Sequence, residues 1–350
     1  MALKLSDYVK VIPRELWVPQ EGKSLMTLFR CITLVVLCQF LLWYVPEISF
    51  QNALWAVPIY FTLSLFSGLS LVGLFVLVHD CGHYSFSRKK MLNDLVGFFS
   101  FALLLNSFYG WRQAHDFHHR NNQIRRIDPD WPELLSTKEE LKIIPWYERV
   151  AIRLGPGSPL GLCIGFWVGM MKRLFFSFLI PQMKLTNKET FVLYLQNFLS
   201  AVISALFLYF YIHLIGIEKF VLVYFGPVII ATTTGAFLTF LQHSHPGNYA
   251  FDQGNFDVVL SQVHSTVNVR FPRLLEYLWL DINIHLPHHI LAGIPWYHLR
   301  AANESLKSSY PGDVKEVDFS FSMLRRCWRA TELKEVSSGV YVLSERRSVL

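Results

Sequence analysis

The chain has 350 residues, 52% of them hydrophobic and only 17% charged, with a formal net charge of +6. A soluble domain carries about 25% charged residues. This balance, with several apolar runs of about 20 residues, excludes a soluble globular protein and indicates an integral membrane protein. The positive charge does not indicate nucleic acid, because Lys and Arg are enriched in the cytoplasmic loops of membrane proteins generally.

Residues 1–24 are polar and mixed in charge. They read as a cytoplasmic arm, not as a cleavable signal or a transit peptide. Residues 25–45 are apolar apart from Arg30 and are long enough to span a bilayer. A turn from Pro46 to Asn52 leads to a second span at 53–78, which ends on His79. The loop between these spans has no Lys or Arg, whereas Arg88, Lys89 and Lys90 come shortly after the second. The positive-inside rule therefore places the His79 end in the cytoplasm. Residues 95–109 are apolar but too short for an easy crossing, which suits a re-entrant or interfacial segment. Arg112, Arg120, Arg125 and Arg126 argue that residues 115–119 stay inside.

Residues 160–180 are apolar overall but carry Lys172 and Arg173 in their middle. Two charges at a bilayer centre are costly, so this stretch reads as an interfacial helix. Residues 190–214 and 220–241 form a helical hairpin through the bilayer and return the chain to the cytoplasm at His243. The expected fold is an all-α integral membrane protein. It has four transmembrane helices, re-entrant or interfacial helices, and a cytoplasmic helical cap built from residues 79–130 and 242–310. The five cysteines, Cys31, Cys38, Cys81, Cys163 and Cys327, form no CxxC pair. They suggest neither a disulfide framework nor a thiolate metal site.

Eight of the thirteen histidines fall in three clusters. His79 and His83 are an i,i+4 pair. His115, His118 and His119 occupy i, i+3 and i+4, so all three can face one centre, and His285, His288 and His289 repeat that pattern. Pro287 lacks an N–H and belongs in the first turn of a helix, which makes His285 the entry residue. Imidazole suits Fe, Cu, Zn and Ni. Zinc sites take about four ligands, and the HExxH protease signature needs a Glu that the Asp80-Cys81-Gly82 stretch does not offer. Eight or nine imidazoles are too many for one ion and suit two. Asp80, Asp116 and Asp281 lie in or near the clusters and read as groups that orient the imidazoles through the second ring nitrogen. A pair of irons held by nitrogen in a membrane points to O2 activation on an apolar substrate. A His-rich membrane metal transporter is the alternative from another class. It would place its ligands inside the spans, whereas these histidines sit at span ends.

The stretches His79-Asp80-Cys81-Gly82-His83, Trp111-Arg112, His115-Asp116-Phe117-His118-His119 and Asp281 to His289 resemble the membrane fatty acid desaturases, as does Ile294 to Ala302. Within them the chain is most similar to the cyanobacterial and plastid acyl-lipid Δ12 (omega-6) desaturases. The resemblance implies one membrane desaturase domain over residues 1–350, with a His-ligated di-iron centre and O2 as co-substrate. It implies a cis double bond inserted into a lipid-linked acyl chain. An omega-3 or Δ9 desaturase or an acyl hydroxylase are the alternatives within the class. It implies a ninth ligand at His243, with His245 as runner-up, and a water held on one iron by Asn283. His264 matches a further family histidine. His245-Pro246-Gly247 is similar to a cytochrome b5 haem motif, but Asn248 breaks it. The donor is therefore expected to be a separate ferredoxin or cytochrome b5. The expected location is a bacterial cytoplasmic membrane, with the active site on the cytoplasmic face.

Overall fold

In the computed structural model the described residues are 3–129, 137, 139–143, 146, 161, 185–330 and 332–345. The expected interfacial helix at 160–180 and Cys163 lie outside them. The chain is mostly helical, and four helices are long and apolar enough to cross a membrane. These are α2 (Glu21–Tyr44), α3 (Ala53–Gly82), α6 (Asn187–Ile215) and α7 (Ile217–His243). They match the four expected spans, each reaching a few residues further. Short α1 (Leu5–Val11) precedes them, and α4 (Lys90–Leu103) and α5 (Phe108–Asn121) separate α3 from α6. The last third adds α8 (Val258–Gln262), α9 (Arg273–Leu278), α10 (Leu286–Ile290), α11 (Leu299–Ser309) and α12 (Phe321–Arg329).

Helix α3 is the axis of the fold. Its 30 residues make it about 45 Å long, more than the ~30 Å thickness of a bilayer's hydrocarbon. Its last turns are buried: Val76, Leu77, Val78 and Cys81 are fully enclosed by α2, α4, α7 and α9. Two glycines allow close approach. Gly68 has the Ile230 side chain where its Cβ would stand, and Gly73 has the Leu278 carbonyl oxygen there, at 2.5 Å. Arg30, the one charge in the first apolar run, lies on α2 with its guanidinium 4.1 Å from the ring centre of Tyr277 in α9. This cation–π contact accounts for a charge in an otherwise apolar helix.

The apolar stretch expected at 95–109 is not a straight helix. α4 ends, and α5 begins at an angle of 107° to it. Leu105 adopts a left-handed backbone (φ 57°) at the break, and Ser107 caps α5 by accepting from Gly110 N. The elbow is pinned from outside, since Ser107 donates to Asn197 of α6 and Tyr224 of α7 donates to the Leu103 carbonyl. The turn keeps the second histidine cluster at the same end of the molecule as the first.

The all-α expectation needs one correction. The last third contains two small sheets. β1 (Tyr249–Phe251), β5 (Val340–Ser344) and β4 (Glu332–Ser337) pair antiparallel in that order, and β2 (Asn268–Arg270) pairs parallel with β3 (Glu316–Asp318). The hairpin is dictated locally. Gly339 supplies a positive φ of 66° between strands, and Val340-Tyr341-Val342-Leu343 alternates half-buried and buried side chains. It packs against the chain that leaves α7.

Candidate metal centre

All nine expected histidines lie together, but not as each cluster's spacing suggests. His79, His83, His115, His119 and His288 bring one nitrogen each to within 4.8 Å of one another, and His118, His243 and His289 form a second such group. His285 completes the second, with its Nε2 3.1 Å from Nε2 of both His243 and His289. The expectation that each three-histidine cluster faces one centre is therefore corrected: both clusters straddle two. Helix geometry is the reason. Each residue advances about 100°, so i+4 lies about 40° to one side of i, and i+3 about 60° to the other. On α5, His115 and His119 face the first group while His118 faces the second. At α10 the assignment reverses, with His285 and His289 in the second group and His288 in the first.

Each histidine is carried by an element with its own reason to stop there. α3 runs through His79 to a C-cap at His83. α7 ends on His243. His285 is the N-cap of α10, with Pro287 in its first turn, as expected. The Asn268 side-chain oxygen accepts from the backbone N–H of His285 (2.7 Å) and of Leu286 (2.8 Å). Upstream, Leu280 and Asp281 adopt consecutive left-handed conformations that turn the chain toward α10.

Burial sets the charge state of several of these imidazoles, and hydrogen bonds set the orientation of others. Burial first, and then the neighbouring rings, hold His285, His288 and His289 well below the ordinary histidine range. His118 Nδ1 donates to Asp128 Oδ1 at 2.7 Å, and His289 Nδ1 donates to Gln262 Oε1 at 2.8 Å. Both rings therefore present a bare Nε2 lone pair inward. His119 Nε2 lies 3.1 Å from His115 Nε2 and 2.9 Å from His288 Nε2. His83 Nε2 is buried without a hydrogen-bond partner. Nitrogens converging at these distances repel unless a proton or a cation lies between them, and a soft-to-borderline cation is what such a donor set fits.

Sequence reasoning missed Asp128 and Gln262. Asp128 is fully buried and also accepts from Gln123 N at 2.8 Å. Nothing in its position ten residues past His118 marked it, because a loop closes that distance. Of the expected orienting carboxylates, Asp116 lies 3.7 Å from His83 Nδ1 and Asp80 lies 3.8 Å from His79 Nδ1. Asp80 also accepts from Trp296 N at 3.0 Å, which ties the end of α3 to the segment after α10. Asp281 instead pairs with Arg300 at 2.5 Å, so its expected contact with an imidazole is absent. Asn283 is buried and donates to both the Val269 carbonyl (2.9 Å) and Glu276 (3.0 Å), while accepting from Trp279 Nε1 (3.3 Å). Both amide hydrogens are thus engaged, and only one lone pair is left for a water. His245 Nδ1 donates to the Pro246 carbonyl, and His264 faces Asp313; neither joins the cluster.

A mainly apolar pocket lies among α3, α4 and α7. Leu71, Phe75, Phe101, Leu104, Ala231 and Gly235 line it, with Asn106 and Thr232 as its polar members. Phe75 precedes His79 by about one turn of α3, and Gly235 precedes His243 by about two turns of α7. The Trp111 ring forms the partition, 5.7 Å from Phe75 and stacked on His115 at 4.7 Å.

The comparisons with known proteins agree with this geometry. The fatty acid desaturase family profile matches residues 52–319. The chain is 28% identical to an sn-1 oleoyl-lipid 12-desaturase of Synechocystis sp., over 99% of this chain and 93% of that protein. It is 28% identical to the sn-1 oleoyl-lipid 12-desaturase of a Picosynechococcus species, over 92% and 88%. It is 25% identical to the chloroplastic omega-6 fatty acid desaturase of Spinacia oleracea, over 98% and 72%. With the profile covering most of its length and the histidines gathered as described, this chain belongs to the fatty acid desaturase family and is an oxidoreductase.

Proposed function

We propose that the nine clustered histidines hold two iron ions and that the enzyme inserts a cis double bond at Δ12 of a lipid-linked acyl chain. His79, His83, His115, His119 and His288 would hold one ion, and His118, His243, His285 and His289 the other. The observation that carries this reading is the division of nine imidazoles into groups of five and four. Bound iron supplies O2 activation: O2 takes two hydrogens from the chain, plus two electrons and two protons from outside, and leaves a double bond and two waters. The rest belongs to this chain's own residues. Asp128 and Gln262 fix the tautomers of His118 and His289. Trp111 separates the pocket from His115. Asp80 keeps the Trp296 segment over the end of α3.

The membrane reading is supported by the four long apolar helices, and a cytoplasmic location of the histidines by Arg88, Lys89 and Lys90 beyond the end of α3. The pocket between α3 and α7 would receive the acyl chain from the bilayer. The donor would be a separate ferredoxin or cytochrome b5. The 12-position rests on what the relatives are named to act on. It is tested by expressing the chain in a host whose lipids are only monounsaturated and analysing its fatty acids by mass spectrometry. A 9,12-diene is the expected product; a diene elsewhere, or a hydroxy acid, would overturn the regiochemistry.

The pocket gives a second expectation. A Cβ on Gly235 would meet nothing within 4 Å, so a larger residue fills space without displacing the fold. Gly235→Leu should reduce conversion of 18-carbon chains relative to 16-carbon chains about tenfold, since each excluded methylene is worth about 0.8 kcal/mol. Unaltered chain-length preference in lipid analysis would show that the acyl chain lies elsewhere.

A further inference from the structure

Two short helices from the last third meet the long helices at the same height. α9 meets α3 at Gly73, where the Leu278 carbonyl oxygen occupies the space of a side chain. α12 meets α7 around Phe237. Its Met323 and Cys327 are buried with Phe240 and Leu241, and Phe237 packs beside them. Phe319, two residues ahead of α12, has its ring 5.9 Å from Phe237 and stacks at 4.8 Å on Phe271, two residues ahead of α9. This stacked pair joins the two helices.

Counting along the long helices gives the height. Gly73 comes twenty residues after Ala53, the start of α3, and Phe237 comes twenty after Ile217, the start of α7. Twenty residues of helix rise about 30 Å, the thickness of a bilayer's hydrocarbon core. Gly73 and Phe237 also each precede a clustered histidine, His79 and His243, by six residues. That is about 9 Å along the helix. On the four-span reading, α9 and α12 therefore lie where hydrocarbon gives way to headgroups, just below the histidines.

Their outer faces suit that level. α9 exposes Leu274 and Tyr277. On α12, Phe321, Arg325 and Trp328 fall at i, i+4 and i+7 and share one stripe, opposite the buried Met323 and Cys327. Phe321 is 85% exposed and Trp328 41%. Rings left in water forgo the energy of burial. Arg325 is exposed and has no hydrogen-bond or ion-pair partner among the described residues, whereas Arg326 pairs with Glu345 at 2.8 Å. Aromatic rings around a free guanidinium are what a helix in the headgroup layer carries. α12 also lies beyond residue 319, where the match to the family profile ends.

We infer that the face of α12 carrying Phe321, Arg325 and Trp328 binds the phosphate headgroups of anionic lipids at the bilayer surface. The inference rests on the membrane reading above. The rings enter the layer between headgroups and chains, and the Arg325 guanidinium meets a phosphate. Seated there, α12 holds the end of α7, and with it His243, at a fixed height above the lipid. One arginine at an anionic surface is worth about fivefold in local lipid concentration, less as salt is added.

The test uses the full-length, iron-loaded protein in nanodiscs, with a fluorophore on one added cysteine. The unsubstituted protein, whose described cysteines are buried, gives the background. Ser322→Cys puts the probe on α12 and keeps every member of the stripe. Ser337→Cys puts it on β4, in the hairpin packed behind His243, and Leu206→Cys puts it midway along α6 on an exposed side chain. Quenching is read with phosphatidylglycerol or phosphatidylcholine carrying a nitroxide near the top or near the end of one chain. The Ser322 probe should be quenched by top-labelled lipid, about fivefold more effectively by phosphatidylglycerol than by phosphatidylcholine at equal mole fraction. Arg325→Glu should erase that preference, and high salt should reduce it. The Ser337 probe should show neither quenching nor preference. A Leu206 probe quenched by end-labelled lipid beside an unquenched Ser322 probe, as a second copy of the chain on α12 would give, overturns the site. Equal quenching of the Ser322 probe by the two lipids overturns its selection of anionic lipid. A Leu206 probe that no lipid quenches overturns the membrane reading itself.

Discussion

Replacing His118 with alanine is expected to abolish double-bond formation and to reduce bound iron from about two ions per chain to about one. The loss falls on the smaller group. His118, His243, His285 and His289 bring four nitrogens together, and three neutral imidazoles leave a site open and weak. The five-histidine group keeps all its members. The partner of His118 offers a graded version of the same test. Asp128 accepts the Nδ1–H at 2.7 Å and is fully buried. Asp128→Asn keeps the shape but presents a weaker acceptor, so iron affinity or activity should fall about 10- to 100-fold. Metal analysis and turnover on the same purified samples check both. Wild-type double-bond formation by the alanine variant would refute the assignment of His118 as a ligand.

The division into two groups also shows what a sequence can and cannot carry. The four long helices were legible because each is a continuous apolar run of bilayer length, and the histidine clusters because their members recur at helical spacing. His243 entered through resemblance alone; one histidine at a helix end has no spacing to mark it. Which histidine serves which group was not legible. It depends on the 100° between i+3 and i+4 meeting two neighbours at once, and so on how α5, α7 and α10 lie around the end of α3. The same holds for Asp128, Gln262 and Asn268, which the folding of separate elements brings to the histidines. Asp281 misled because proximity in sequence to His285 stood in for proximity in space; its left-handed backbone turns it to Arg300. The small sheets escaped notice because strands of three to six residues give too short an alternation to stand out.

The largest structural consequence is expected from a methyl group placed far from any histidine. Gly73 lies on α3 six residues before His79, and a Cβ there would stand 2.5 Å from the Leu278 carbonyl oxygen and 3.2 Å from Cys31 Sγ. The first obstacle is backbone, so it cannot swing aside as a side-chain end would. Gly73→Ala must push α9 away from α3. Leu278 leads into Trp279 and Leu280, both buried in the main core, and Leu280 and Asp281 are the two left-handed residues that aim the chain at His285. A shift at Leu278 therefore carries into His285, His288 and His289 together. Overpacking of this kind costs about 1–3 kcal/mol, and misplacing ligands by a fraction of an ångström costs activity steeply. Gly73→Ala should lower the unfolding temperature, lose at least about tenfold in activity and bind less iron. Gly235→Ala is the matched control: it is also a helical glycine, but its Cβ meets open space, so its stability should hold or rise, as alanine in a helix favours. If Gly73→Ala kept wild-type stability and iron content, the close approach of α9 to α3 would not be what seats the third histidine cluster against the first.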